Sequence, residues 1–148
     1  MNYTNILKLK SKFNSLSGKK DLKEAAKVGD LLIDEYYKCK LTNSKKYSDD
    51  IFDIACINDE NGNVDKAEEL YLESGRIYKR ICGKDIGYSY RINNLAVLYS
   101  RTGKKEEALQ LFKESYRLKF NLLGYKSKET GESLYNLGNA YYDLGDYE

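Results

Sequence analysis

Two short stretches carry polar side chains at helical spacing: Tyr90, Asn93, Asn94, Val97 and Arg101, then, 42 residues on, Glu132, Tyr135, Asn136, Asn139 and Asp143. Steps of three and four residues place each set along one face of a helix. An asparagine amide both donates and accepts hydrogen bonds. Asn94 and Asn136, stacked one above the other, can therefore hold the backbone of an extended peptide whatever its sequence, or instead tie neighbouring helices together. Arg101 suits a carboxylate or phosphate, and Asp59, Glu60 and Asp143 are alternative partners within the chain. The same spacing places Asp49, Asp53, Cys56 and Glu60 on the corresponding face one repeat earlier. Five carboxylates (Asp49, Asp53, Glu60, Glu132 and Asp143) against Arg101 favour a partner segment that carries Lys or Arg.

Other chemistry finds little support. The chain has no histidine, which removes the usual general base and any Ser-His or Cys-His couple. Neither GxGxxG nor GxxxxGK[ST] occurs, so the glycines build no phosphate loop. Asp49, Asp50 and Asp53 are better explained by helix capping and dipole complementation than by a metal. Cys56 reads as a small core residue before it reads as a reactive thiol. No catalytic residue, cofactor or metal is expected, and the chain is not expected to be an enzyme.

Charge and cysteines bound the partner and the compartment. Charged residues are 32% of the chain but the net charge is only +2. Residues 1–48 hold 11 Lys/Arg against 5 Asp/Glu, a net of +6, and residues 49–148 hold 14 against 18, a net of −4. No basic stripe runs the full length, so nucleic acid and membrane are not expected partners, and the lysine-rich end reads as a solvated face. Three unpaired cysteines, no leader and no long apolar run point to a reduced, cytoplasmic protein. The 15 tyrosines read chiefly as packing.

The elements that must position these residues repeat. Asn94-Leu95-Ala96, Tyr99 and Gly103 return 42 residues later as Asn136-Leu137-Gly138, Tyr141 and Gly145. Ile54-Ala55, Gly62 and Ala67 lie 41 residues before Leu95-Ala96, Gly103 and Ala108. A fixed period in this range signals stacked helix pairs, each too small to bury its own apolar face. The predicted fold is an all-α right-handed superhelical solenoid of antiparallel helix pairs. Residues 1–46 form a degenerate N-terminal pair that acts as a cap, with Asp21 capping its second helix. Residues 47–148 form about two full repeats plus a truncated one that turns at Gly145-Asp146 and is cut off at Glu148. Gly83 and Gly124 end second helices, where a left-handed residue is wanted. Small Ala55, Ala96 and Gly138 let helices approach, with Tyr71 and Phe112 beside Ser74 and Ser115 filling the gap.

These residues resemble the tetratricopeptide repeat, in its longer kinesin-light-chain-type variety. The resemblance rests on Asn93-Asn94-Leu95-Ala96, Tyr99, Gly103-Lys104, Glu106-Glu107-Ala108 and the preceding Gly83-Lys84-Asp85. It covers about residues 49–148. Asn58 departs from the pattern where Tyr99 and Tyr141 stand, and the usual proline is missing near Lys79 and Phe120. The resemblance implies a solenoid whose first helices line a concave groove, with Asn94 and Asn136 touching peptide cargo. Phe52, Cys56 and Val97 stand where a carboxylate clamp would want polar groups, which argues against recognition of chaperone tails.

The expected function is thus a non-catalytic scaffold that binds a peptide or helical segment of another protein in its groove. The alternative is a peptide-sensing regulatory module of a larger signalling protein. Leu134, Leu137, Tyr141 and Leu144 on the last repeat form an open apolar edge that offers a route to homo-oligomers.

Overall fold

The computed structural model describes residues 3–145, all of whose regular structure is helical. Asp146, the second residue of the expected last turn, and Glu148 lie outside the described residues. Seven helices follow in order: α1 (Tyr3–Gly18), α2 (Leu22–Lys38), α3 (Lys45–Glu60), α4 (Val64–Cys82), α5 (Ile86–Thr102), α6 (Lys105–Leu123) and α7 (Lys128–Asp143). The chain forms two compact units, Met1–Ile81 and Cys82–Glu148.

Helix starts follow from side-chain oxygens that accept otherwise orphaned backbone N–H groups. Asp21 accepts from the Glu24 N–H, Ser44 from Tyr47, Asp85 from Tyr88 and Ser127 from Thr130. Helix α5 stops at Gly103, whose φ of 91° is a left-handed conformation that a β-carbon would penalise. Gly83 and Gly124 take φ of 79° directly after α4 and α6.

In the first unit the core joins α1, α2 and α3. Ile6, Phe13, Ala25, Leu32, Tyr36, Tyr47, Ile51 and Ile54 are buried there. Helix α2 comes so close to α3 that a β-carbon on Gly29 would lie 2.8 Å from Ile54 Cγ2. Ile54 is branched at Cβ and fully buried, so it cannot swing aside. Gly29→Ala is therefore expected to lower the unfolding free energy by about 1–3 kcal/mol through overpacking, although alanine is the better helix former. Urea unfolding followed by circular dichroism checks this.

Helices α3 and α4 are clipped by two serines. Ser48 Oγ donates to the Ser74 carbonyl at 2.9 Å, and Ser74 Oγ donates back to the Ser48 carbonyl at 2.8 Å. In the second unit the device recurs 41 residues later, where Ser115 Oγ donates to the Ser89 carbonyl at 3.3 Å. All four serines are fully buried, and small hydroxyls both allow close helix contact and satisfy buried polar atoms. Asn58 holds its turn together in place of the tyrosine found in later repeats. Its amide donates to the Ile54 carbonyl at 2.9 Å and its Oδ1 accepts from Asn63 at 3.1 Å.

The three aspartates of α3 take a different role from the one their spacing suggested. Helix α3 begins at Lys45 with Ser44 as its cap, so Asp49, Asp50 and Asp53 lie beyond the first turn and neutralise lysines instead. Asp50 is buried and receives Lys10 at 3.0 Å, Lys46 at 3.2 Å and the Tyr36 hydroxyl at 2.5 Å. Asp53 takes Lys10 at 2.6 Å and Asp49 takes Lys45 at 2.7 Å. Burial works against the charge on Lys10, but hydrogen bonds to Asp53 and Asp50 outweigh it and raise its pKa. Burial and the Asp50 contact likewise push the Tyr36 hydroxyl upward.

Candidate functional site

All ten residues of the expected groove lie in the second unit, and each is exposed or half-buried. On α5 the open positions are Tyr90, Asn93, Asn94, Val97 and Arg101; on α7 they are Glu132, Tyr135, Asn136, Asn139 and Asp143. The opposite faces are buried, with Tyr88, Ile92, Leu95, Ala96, Thr130, Ser133 and Ala140 turned inward. Both stripes follow the three- and four-residue steps that define one side of a helix.

Helices α5 and α7 run side by side and parallel. Asn136 Nδ2 donates to Asn93 Oδ1 at 3.3 Å, and Ser100 Oγ donates to Asp143 Oδ2 at 3.4 Å. Both contacts span 43 residues. Lys105 adds a bond from its ammonium to the Asp143 carbonyl at 3.1 Å. Asn136 thus reaches Asn93, the neighbour of the residue it matches in the repeat. That amide contact leaves Asn136 Oδ1 as an acceptor and Asn93 Nδ2 as a donor.

The site contains a residue that sequence reasoning missed. Lys119 of α6 is only 3% exposed, and its ammonium lies 4.9 Å from the centre of the Tyr90 ring. Burial lowers its pKa, while the charges of Glu132 and Glu129 act the other way. A cation over a tyrosine face is attracted by the ring's quadrupole, and Glu132 belongs to the α7 stripe. Arg101 is therefore not the lone cation of this strip. Ser133, next to Glu132 in the chain, lies on the inward side of α7. Its hydroxyl is buried with no hydrogen-bond partner among the described residues. The clue was a conflict: Lys119 lies four residues after Ser115 and seven after Phe112, on the buried stripe of α6, where Tyr78 stands one repeat earlier. Helical period demanded burial there while residue type demanded water.

Other candidate chemistry has structural partners. Cys56 is half-buried and its Sγ accepts from the Tyr71 hydroxyl at 3.5 Å. Among the described residues no group of three or more Cys, Asp or Glu side chains is arranged to hold a metal ion. No described helix is long and apolar enough to cross a membrane.

Comparison with known proteins fits this geometry. The chain aligns over 91% of its length with the crystal structure of BtubC (BKLC) from P. vanneervenii, at 21% identity and a TM-score of 0.85. It spans 54% of that chain, about half its length. It aligns over 96% of its length with a candidate kinesin light chain from Podosopora anserina with nearly identical TPR-like repeats, at 17% identity and a TM-score of 0.82, covering 68% of that chain. A point variant of the same Podosopora anserina protein aligns over 99%, at 17% identity and a TM-score of 0.84, covering 69% of that chain. At these identities the likeness is one of fold. No curated protein sequence matches the chain. Two tetratricopeptide-repeat family models match residues 57–119 and 131–148, together more than half of the sequence. With helix pairs clipped at a 41-residue interval and parallel first helices in the second unit, the chain belongs to the tetratricopeptide-repeat family.

Proposed function

We propose that the α5–α7 face is the groove in which this protein holds a peptide or helical segment of a partner protein. Tetratricopeptide repeats generally mediate protein–protein interaction, and the observation that carries the reading here is the parallel pair of polar stripes joined at Asn93 and Asn136. Asn93, Asn94, Asn136 and Asn139 serve the ligand backbone. Tyr90, Val97 and Tyr135 supply apolar contact, and Arg101, Glu132 and Asp143 set the charge pattern. Lys119 adds ammonium donors beside Tyr90, so a carbonyl or carboxylate of the ligand is accommodated there. The scaffold acts without catalysis and in the cytoplasm, on protein rather than nucleic acid or membrane. Residues 1–46 cap the array of residues 47–148.

Tyr135 is 71% exposed and Asn139 is exposed beside it, so Tyr135→Ala/Asn139→Ala should leave the fold intact. Removing an aromatic anchor and a backbone-binding amide is expected to weaken partner binding by about 2 kcal/mol, roughly 30-fold. Affinity capture from cell extract, with retained proteins identified by mass spectrometry, checks this. Retention of the same proteins at equal yield by a fully helical double variant counts against the groove.

A further inference from the structure

The second unit repeats the frame of α1, α2 and α3, with one set of charges exchanged. The repeat periods of 41 and 42 residues together carry each position 83 residues on. That shift takes the first residues of α1, α2 and α3 (Tyr3, Leu22 and Lys45) to those of α5, α6 and α7 (Ile86, Lys105 and Lys128). It also takes a contact to a contact. Lys10 donates to Asp53 at 2.6 Å, and at the matching places Asn136 donates to Asn93 at 3.3 Å. The buried centre of the first frame is Asp50, whose carboxylate accepts from Lys10, Lys46 and the Tyr36 hydroxyl. In the second frame Asp50 is replaced by Ser133, Tyr36 by Lys119, Lys10 by Asn93 and Lys46 by Glu129. The centre gains an ammonium where it loses the carboxylate.

Donors outnumber acceptors at this second centre. Lys119 is 3% exposed and Ser133 is 1% exposed. Among the described residues the Ser133 hydroxyl has no hydrogen-bond partner. The Lys119 ammonium lies 4.9 Å from the centre of the Tyr90 ring and within reach of the charges of Glu132 and Glu129, yet no described acceptor takes a hydrogen bond from it. Asn93 spends its Oδ1 on Asn136 and keeps its Nδ2 donor. Unpaired donors are costly in a buried place. A water molecule answers poorly, because it brings two protons that need acceptors of their own. A monatomic anion accepts from all three donors and balances the ammonium. We propose that Lys119, Ser133 and Asn93 seat one small monovalent anion, chloride or an ion of its size, where Asp50 supplies the negative charge in the first unit. Glu129 and Glu132 favour the protonated lysine that the anion requires, while their repulsion keeps its hold weak. The ligand is an ion, so this site stands or falls independently of the groove.

Chloride binding to the 148-residue protein is read directly as broadening of the chloride NMR line, at constant ionic strength with gluconate as the replacing anion. The wild type is expected to broaden the line, and bromide to compete. Lys119→Met is expected to abolish the effect, and Ser133→Ala to weaken binding about fivefold or more. Lys38→Met, at an exposed lysine of the first unit, is expected to leave it unchanged. Ser133→Ala removes only an unpartnered hydroxyl, so the test stands even where Lys119→Met folds poorly; circular dichroism checks both. Exchanging gluconate for chloride at about ten times the dissociation constant is expected to raise the melting temperature of the wild type by about 3 °C and that of Lys119→Met by less than about 1 °C. Absence of broadening by the wild type overturns the proposal in favour of a water bridge. Equal broadening by either folded variant overturns it in favour of surface cations. Displacement by acetate at far lower concentration than by bromide overturns it in favour of a carboxylate ligand.

Discussion

Replacing Asp50 with alanine is expected to lower the unfolding free energy by about 3–5 kcal/mol, the usual result of stripping one partner from a buried charged network. Asp50 is the node where three helices of the first unit meet: Lys10 of α1, Tyr36 of α2 and Lys46 of α3 all end on its two oxygens. Without it the Tyr36 hydroxyl, itself buried, loses its acceptor, and Lys10 keeps only Asp53. Two companion variants separate the network from a general sensitivity to charge removal. Tyr36→Phe deletes one donor and is expected to cost about 1–2 kcal/mol. Asp53→Ala removes a carboxylate that is half in water and is expected to cost less than about 1 kcal/mol. Equal losses for Asp50→Ala and Asp53→Ala in urea would contradict this account of the first unit.

The second large effect concerns Lys119, where stability and binding are expected to move in opposite directions. Burying an ammonium to 3% exposure outweighs the help of the Tyr90 face and of the Glu132 and Glu129 charges, so Lys119→Met is expected to leave stability unchanged or raise it by about 1–2 kcal/mol at neutral pH. The pH dependence has a definite sign. The folded pKa of Lys119 is lowered by burial, so between that value and the unfolded one the unfolded chain holds more protons and stability rises with pH. The advantage of Lys119→Met is therefore full below the folded pKa and shrinks as pH climbs toward the ordinary lysine value. Partner binding behaves oppositely, because the methionine has no donor to offer a ligand oxygen; a loss of about tenfold is expected. Paired urea melts of the two proteins across pH, with binding measured alongside, read both effects.

Much of this organisation was legible in the sequence. The repeat of Asn94-Leu95-Ala96 at Asn136-Leu137-Gly138, the caps at Asp21 and the glycines after α4, α5 and α6 identified the helices and their class. Those signals are local, and local signals survive in a single chain. Contacts between helices were less accessible. Ser74 and Ser115 were recognisable as small residues, but Ser48 and Ser89 as their partners were not, because serine is equally at home on a surface. Asp50 read as one of three carboxylates that cap a helix and complement its dipole, because nothing local in the sequence shows that Lys10 of α1 and Tyr36 of α2 end on it. The face of α5 that meets α7 followed from the helical period. The residue that reaches across did not, because the 43-residue stagger is set by packing, whereas repeat equivalence runs at 42. Lys119 was visible only as a contradiction between its place on the buried stripe of α6 and its charge.

The most direct test of the groove is site-specific photo-crosslinking in cells, with p-benzoylphenylalanine placed in turn at Tyr135, at Asn139 and at Gln110, an exposed residue of α6 outside the two stripes. The account predicts that Tyr135 and Asn139 yield the same covalent partner, that Lys119→Met diminishes it, and that Gln110 does not yield it. Capture of that partner from Gln110 alone, with nothing retained at Tyr135 or Asn139, would contradict it.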